Sequence, residues 1–357
     1  MQLAVLPGDD IGPEITVATL DVLAAVKRHF SLDIGVEHHA IGLESLKQSG
    51  ATLTEAVFAA AREADGIILG PVATAIYPPA DKGGINPSAY FRKNLDLYAN
   101  IRPARTFGRA TQRVSAFDLV VVRENTEGFY ADRNMTAGDA DILVTPDVAI
   151  AIRKVTREAS TRIAEAGFRL ARARRRRVTL VHKANVLKRS DGLFLDACRA
   201  VAADYPDVNV DDVIIDAMTA HLVRDPGRFD VIVTTNMFGD ILSDLAGELA
   251  GSLGLAGALN AGATHAVAQA THGSAPDIAG QDRANPMALI RSLGMLLHWL
   301  GERHGAANFI AAGRAIEEAV GATIAAGETT PDLGGRIGTK AVGRIVAGRV
   351  ARTASAA

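Results

Sequence analysis

Six short apolar runs, LAVL (3–6), GIILG (66–70), LVVVR (119–123), VTLVH (178–182), VIID (213–216) and VIVT (231–234), recur along the chain between long helical patterns. Runs of this length, rich in Val, Ile and Leu, read as strands buried on both faces. Parallel neighbours need a long crossover, usually a helix, so the alternation predicts an α/β protein with a largely parallel sheet. The chain has no low-complexity linker and no short internal repeat, and composition alone marks no domain boundary. No GxGxxG follows any predicted strand, so the common dinucleotide fingerprint is absent.

At 357 residues the chain is long enough for two domains or one large one. A formal net charge of -2 implies no general affinity for nucleic acid or an anionic membrane. The N-terminus enters a strand within two residues, without a basic segment and apolar core of a signal peptide, and no apolar run approaches the ~20 residues of a membrane span. The single cysteine, Cys198, lies in the helical pattern LFLDACRAV and reads as a buried, inert thiol. These features fit a cytoplasmic enzyme.

NMFGDILSDLAGELAGSLG, residues 236 to 254, follows the strand FDVIVTTN and sets Asp240 and Asp244 four residues apart at the start of a helix. Carboxylates at i and i+4 share one helix face, about 5–6 Å apart at Cβ, which suits a hard divalent cation. Such a pair beyond the carboxyl end of a strand lies where open α/β sheets collect ligands. The strand DVIIDAM (212–218) offers a third carboxylate in Asp216. Spacing alone leaves open that Asp240 caps the helix and Asp244 is solvated.

With these residues the chain resembles the β-decarboxylating dehydrogenases, the family of isocitrate, 3-isopropylmalate, homoisocitrate and tartrate/D-malate dehydrogenases. The resemblance runs from LPGDDIGPEI through VRENTEGFY, HKANVLK and the Asp240 helix to THGSAPDIAGQDRANP and TPDLGG. It implies an isopropylmalate dehydrogenase-like two-domain α/β fold with mixed, mostly parallel sheets. Residues 1–100 plus 247–357 would form a discontinuous cofactor-binding domain, and residues 101–246 a smaller domain with the dimer contacts and an arm at about 132–145. It also implies NAD- and metal-dependent oxidation of a 2-hydroxy acid, followed by loss of the carboxyl group at C3.

The resemblance assigns roles residue by residue. Lys183 in HKAN is the base for the 2-hydroxyl; after a buried strand, its ammonium would be desolvated and its proton affinity lowered. Tyr130 in RENTEGFY is the acid that protonates the enol carbon. Arg92, Arg102 and Arg123 hold the substrate carboxylates, for which bidentate guanidinium partners are well suited. Asp240 and Asp244 bind Mg²⁺ or Mn²⁺, and Asp216 and Lys183 complete the site of the other subunit in a homodimer. Any of these residue types alone is more often a surface or packing residue; matched position carries the assignment.

The adenosine loop would be His272, Gly273, Ser274, Ala275, Pro276, Asp277 and Ile278, with Asn285 beside it. Asp277 would accept hydrogen bonds from a ribose 2'-hydroxyl and repel a 2'-phosphate, which predicts NAD. His272 fits either packing against adenine or a single backbone hydrogen bond. Thr74 and Asn185 are expected on the nicotinamide side.

Three positions depart from the usual pattern. Asp10 replaces a glycine in GDDIGPE, and Gln269-Ala270 stands where a glutamate usually precedes the THG segment. In GGINPSAYFR, the segment that sets the group accepted at C3, Asn86, Ser88 and Ala89 stand where isopropylmalate enzymes place leucines. A polar lining disfavours an isopropyl group by about 1–3 kcal/mol. The expectation is therefore a polar or small C3 group, as in isocitrate, homoisocitrate, tartrate or D-malate, with 3-isopropylmalate as the alternative. A metal hydrolase using the same aspartates would leave Tyr130 and the APDIAG loop without purpose. The basic run Arg169, Arg172, Arg174, Arg175, Arg176 and Arg177 offers phosphate contacts for nucleic acid, but no aromatic residues interleave with it, and a solvated helix end is the simpler reading.

Overall fold

The computed structural model describes residues 1–108, 114–130 and 140–356, the last five of these by main chain only. In chain order the strands are β1 (Gln2–Leu6), β2 (Gly35–His38), β3 (Gly66–Leu69), β4 (Ala99–Arg105), β5 (Asp118–Glu124), β6 (Asp141–Thr145), β7 (Val148–Ala151), β8 (Arg177–His182), β9 (Asn209–Ile214), β10 (Val231–Thr234), β11 (Gly257–Ala261) and β12 (Ala266–Ala270). The helices are α1 (Gly12–His29), α2 (Gly42–Ser49), α3 (Glu55–Glu63), α4 (Pro87–Asn94), α5 (Arg157–Arg172), α6 (Ser190–Ala202), α7 (Ile215–Arg224), α8 (Asn236–Leu249), α9 (Met287–His304), α10 (Ala307–Ala325) and α11 (Thr339–Ala356).

Ten strands form one mixed sheet in the order β2-β1-β3-β12-β11-β4-β5-β10-β8-β9, and β6 pairs with β7 apart from it. Two parallel wings meet at a centre where β12, β11, β4 and β5 run antiparallel to their neighbours. The expected α/β class with a mixed, mostly parallel sheet is what the chain adopts. The inner wing strands are apolar on both faces because helices cover both, whereas the edge strands β2 and β9 carry polar, partly exposed residues. Leu3 and Val5 enter one core cluster and Ala4 and Leu6 another, as period-two alternation requires. In the other wing Val120, Val122, Val231 and Val233 pack with α5 and α6, while Leu119, Val121 and Ile232 face α7 and α8. No helix among the described residues is long and apolar enough to cross a membrane.

The antiparallel centre is built differently. Pro103 lies within β4 opposite Val120 of β5, but β11 pairs only with Ala99, Asn100 and Ile101, so the missing N–H of Pro103 falls beyond its end. In register, Asn100 stands opposite Asn260 on one side and Arg123 on the other. Directly opposed residues project from the same sheet face. A polar stripe therefore runs between the two apolar halves.

One expectation changes and another falls largely outside the described residues. The run at 213–216 is not all strand: β9 ends at Ile214 and α7 begins at Ile215, which puts Asp216 in a first helical turn rather than at a strand end. Of the arm at 132–145, residues 132–139 lie outside the described residues; the rest forms the start of the β6–β7 hairpin, whose side chains are exposed throughout. Cys198 is buried in α6, and burial pushes its thiol up.

The basic run folds back on acids from distant segments. Arg172 pairs with Asp207, and Arg174 with Asp118 and Asp230. Asp230, buried at the foot of β10, also accepts the Arg175 N–H at 2.9 Å. Removing it takes the acceptor from Arg174 Nε and from the Arg175 backbone N–H together. Asp230→Ala is expected to lower the unfolding free energy by about 3 kcal/mol. Asp207→Ala, at an exposed pair, should fall within experimental scatter; urea denaturation of both variants checks the contrast.

Candidate active site

Arg123 ends β5 with only 2 % of its surface exposed, so every polar atom of its guanidinium needs a partner within the protein. Nε and Nη2 donate to Asn236 Oδ1 at 2.9 and 2.7 Å, and Nη1 pairs with Asp240 Oδ1. This requires α8 to approach β5 closely. A Cβ on Gly239 would lie 2.6 Å from Arg123 Cβ, so only glycine fits there. Asn236, the first residue of α8, is fixed in turn by donating to the Glu127 carbonyl at 2.9 Å.

Arg102, from β4, reaches the same helix. Its Nη1 donates to Ser243 Oγ at 2.7 Å and Asp240 Oδ1 at 3.1 Å, and stands 3.5 Å from Asp244 Oδ1. Burial and the charge of Arg123 push the Arg102 guanidinium down to about 10, with Asp240 and Asp244 offsetting part of this. Burial alone would raise Asp240, but Arg123, Arg102 and Arg92 outweigh it and hold that carboxyl below its usual range. Asp244 goes the other way: burial raises it, and Arg102 compensates only in part. Both guanidiniums thus converge on one oxygen of Asp240, while Asp244 on the next turn has only the longer contact with Arg102. That imbalance suits a divalent cation, which lowers the proton affinity of the carboxylates it binds.

A cleft of about 270 Å³ opens above these side chains. It brings together Arg92, Arg102, Arg123, Tyr130 and Asp240 with Asn86, Ser88, Thr74, His272 and Gly273, which lie far apart in sequence. The Arg123 guanidinium sits 5.8 Å from the centre of the Tyr130 ring. Asn86 has a structural task as well, because its Oδ1 accepts the Ala89 N–H and caps α4. His272 turns Nδ1 to the Gly273 carbonyl at 3.0 Å and leaves Nε2 buried without a partner; burial lowers its proton affinity. An orphaned acceptor at the cleft wall is consistent with a bound nucleotide cofactor supplying the missing donor.

Other expected residues lie elsewhere. Lys183 and Asp216 pair with each other on an exposed face away from the cleft, so within one chain the Lys183 ammonium is solvated and ion-paired rather than desolvated. Asn185 is exposed on the same segment. Among the described residues no three His, Cys, Asp or Glu side chains come together as a metal centre. The loop from Ser274 to Ile278 continues from the cleft, with Ser274 buried against Ile11 and Asp277 exposed. Asn285 is occupied: its Oδ1 accepts the Met287 N–H and its Nδ2 donates to Asp332. Sequence reasoning missed Asn100, Asn260 and Thr271 on the cleft wall. Asn100 and Asn260 lie in strands whose sequence shows no buried-strand pattern, so nothing local signalled them.

Below Tyr130, the segment RENTEGFY folds around two buried carboxyls. Glu124 accepts from Thr126 N and Oγ1 at 2.7 and 2.6 Å and from Glu127 N at 3.0 Å. Glu127 accepts from Thr156 N at 2.8 Å and Thr156 Oγ1 at 2.9 Å, tying this segment to the start of α5. Burial raises the Glu127 carboxyl to about 7 against those bonds.

A mixed sheet carrying paired guanidiniums over two helix carboxylates defines an enzyme class that handles small acids. The family model for isocitrate/isopropylmalate dehydrogenase matches residues 2–346, and the chain belongs to that family. The 3-isopropylmalate dehydrogenase of Archaeoglobus fulgidus is 41 % identical over 339 residues, 95 % of this chain and 96 % of that protein. The isocitrate/homoisocitrate dehydrogenase of Thermus thermophilus is 41 % identical over 343 residues, covering 95 % and 96 %. The crystal structure of isocitrate dehydrogenase from Methylococcus capsulatus superposes with a TM-score of 0.86 at 39 % identity, over 98 % of this chain and 99 % of that one. The chain is thus an oxidoreductase of the β-decarboxylating type acting on a hydroxy acid; such enzymes generally use NAD(P) and a divalent metal and are commonly dimeric.

The raised Glu127 carboxyl has a measurable consequence. The folded chain keeps this proton up to about pH 7, whereas the unfolded chain releases it near 4.5. The folded state thus binds more protons between those values, so this group's contribution to stability declines as pH rises through that window and levels off above it. Glu127→Gln is expected to flatten the decline in urea denaturation between pH 5 and 8. An unchanged slope in the variant would show that Glu127 is ionised in the folded protein.

Proposed function

We propose that the chain oxidises a malate bearing a polar or small C3 group with NAD, in the presence of Mg²⁺ or Mn²⁺, and decarboxylates the product to a 2-oxo acid. The observation that carries this reading is the convergence of Arg102 and Arg123 on Asp240 in a cleft whose remaining lining is largely hydroxyl and amide. Arg92, Arg102 and Arg123 hold the carboxylates of the substrate. Asp240 and Asp244 hold the metal, which polarises the 2-hydroxyl for oxidation and draws charge as carbon dioxide leaves. Tyr130, stacked beside Arg123, delivers the proton to C3 of the enol.

Lys183 takes the hydroxyl proton; its absence from this chain's cleft lining supports a role in the site of a second chain. In this reading the enzyme is a homodimer whose sites draw Lys183 and Asp216 from the neighbouring subunit. The exposed apolar side chains of the β6–β7 hairpin, Leu143, Val144 and Ile150 among them, suit such an interface. The cleft then divides a cofactor-binding lobe, residues 1–100 plus 247–357, from a lobe of residues 101–246. Thr74 meets the nicotinamide side, joined by Asn185 from the neighbouring subunit as for Lys183, and the loop from His272 to Ile278 with Asn285 meets the adenosine. The exposed Asp277 carboxylate repels a 2'-phosphate, so NAD is preferred over NADP.

Sharing of sites is tested by mixing two inactive homodimers, Lys183→Ala and Asp240→Asn, under subunit exchange. One site of each hybrid would be intact, and activity should recover toward about a quarter of wild type; no recovery above either parent contradicts the shared site. Absorbance at 340 nm with Mn²⁺ and isocitrate, homoisocitrate, tartrate, D-malate or 3-isopropylmalate should show a lower KM for NAD than for NADP. With the preferred acid, Tyr130→Phe should slow release of the decarboxylated product more than the hydride step, and equal slowing would remove Tyr130 from the role of acid.

A further inference from the structure

Resting on the reaction proposed above, we infer that Gln269 reads the C3 substituent of the substrate as a hydrogen-bond donor whose orientation is fixed from the far end of the cleft. Five buried side chains form a chain of bonds. Arg102 Nε donates to Asn100 Oδ1 at 3.1 Å, and Asn100 Nδ2 stands 3.5 Å from Asn125 Oδ1. Asn125 Nδ2 donates both to the Leu97 carbonyl at 2.9 Å and to Asn260 Oδ1 at 3.0 Å. Asn260 Nδ2 then faces Gln269 Oε1 at 3.5 Å, and Ser88 Oγ donates to the same oxygen at 3.0 Å.

The direction of every amide in this chain is determined. A guanidinium only donates and a carbonyl only accepts, so Arg102 fixes Asn100 and Leu97 fixes Asn125. The order propagates to Asn260 and then to Gln269. With Oε1 occupied, Gln269 Nε2 is left as the donor, and no described residue engages it. Gln269, Ser88 and Asn260 all line the cleft beside the segment that holds Asn86. Ser88 spends its proton on Gln269, so it presents lone pairs there. An apolar C3 group seated against an unpaired amide donor is disfavoured; an oxygen on the C3 substituent, as hydroxyl or carboxylate, satisfies it. A glutamate at this position would present only acceptors.

Calorimetric titration in Mn²⁺ buffer with isocitrate, tartrate, D-malate and 3-isopropylmalate tests this, because it needs no turnover. Wild type should bind an oxygen-bearing acid more tightly than 3-isopropylmalate, and Gln269→Leu should shrink that preference about tenfold while leaving D-malate, which has no C3 group, unchanged. Gln269→Glu separates the two chemistries: it should repel the carboxylate of isocitrate and spare the hydroxyl of tartrate. Ser88→Ala, which frees Gln269 from one restraint, should shift the same preference in the same direction by less, and it serves if the Gln269 variants do not fold. Equal weakening of all four acids, no preference in wild type, or a loss confined to NADH affinity overturns the assignment. Preference without NAD reduction would sink the proposed reaction and leave Gln269 standing; turnover with an unchanged preference in Gln269→Leu would do the reverse.

Discussion

Much of the site depends on burying the Arg123 guanidinium at the end of a central strand. A charge removed from water must be matched nearby, and here the match is made by Asp240 and by the Asn236 side chain at the first turn of α8. That demand sets Gly239 where α8 crosses β5 and fixes Asn236 through the Glu127 carbonyl. With Arg102 beside Arg123, two buried cations share one carboxylate oxygen. The cleft is therefore prepared for added negative charge, while Asp244 one turn away remains prepared for added positive charge. An acid and a metal ion bound together would answer both requirements.

The apolar strands were legible because both faces of a parallel wing are covered. LAVL, GIIL, LVVV and VIVT fall within observed strands, and their alternate side chains fill the clusters on either face. The antiparallel centre was not. β4 carries asparagine, two arginines and proline, and β11 and β12 are short and rich in alanine, so none shows the pattern of a buried strand. Their partners lie far away in sequence, and the polar stripe they form is decided by register. Asp216 was misplaced for a related reason: Ile214, Ile215 and Asp216 read as a continuing strand, although the chain turns into α7 at Ile215.

The individual side chains of the cleft became legible by matched motif rather than by residue type. Nothing local distinguishes Arg123 from the six arginines of the basic run. Three-dimensional context does: the run meets Asp118, Asp207 and Asp230 from distant segments, whereas Arg123 meets α8 and the Tyr130 ring. The same holds for Gln269, a departure in sequence whose consequence depends on a hydrogen-bond chain beginning at Arg102.

Arg102 and Arg123 hold Asp240 Oδ1, and an acid that draws them away should free that oxygen for a metal ion. Titration of Mn²⁺ by water-proton relaxation, with and without a saturating 2-hydroxy acid, tests it most directly. The claim predicts weak Mn²⁺ binding to the protein alone, at least tenfold tighter binding when the acid is present, and loss of that coupling in Arg123→Met. Equally tight binding with and without the acid would contradict it.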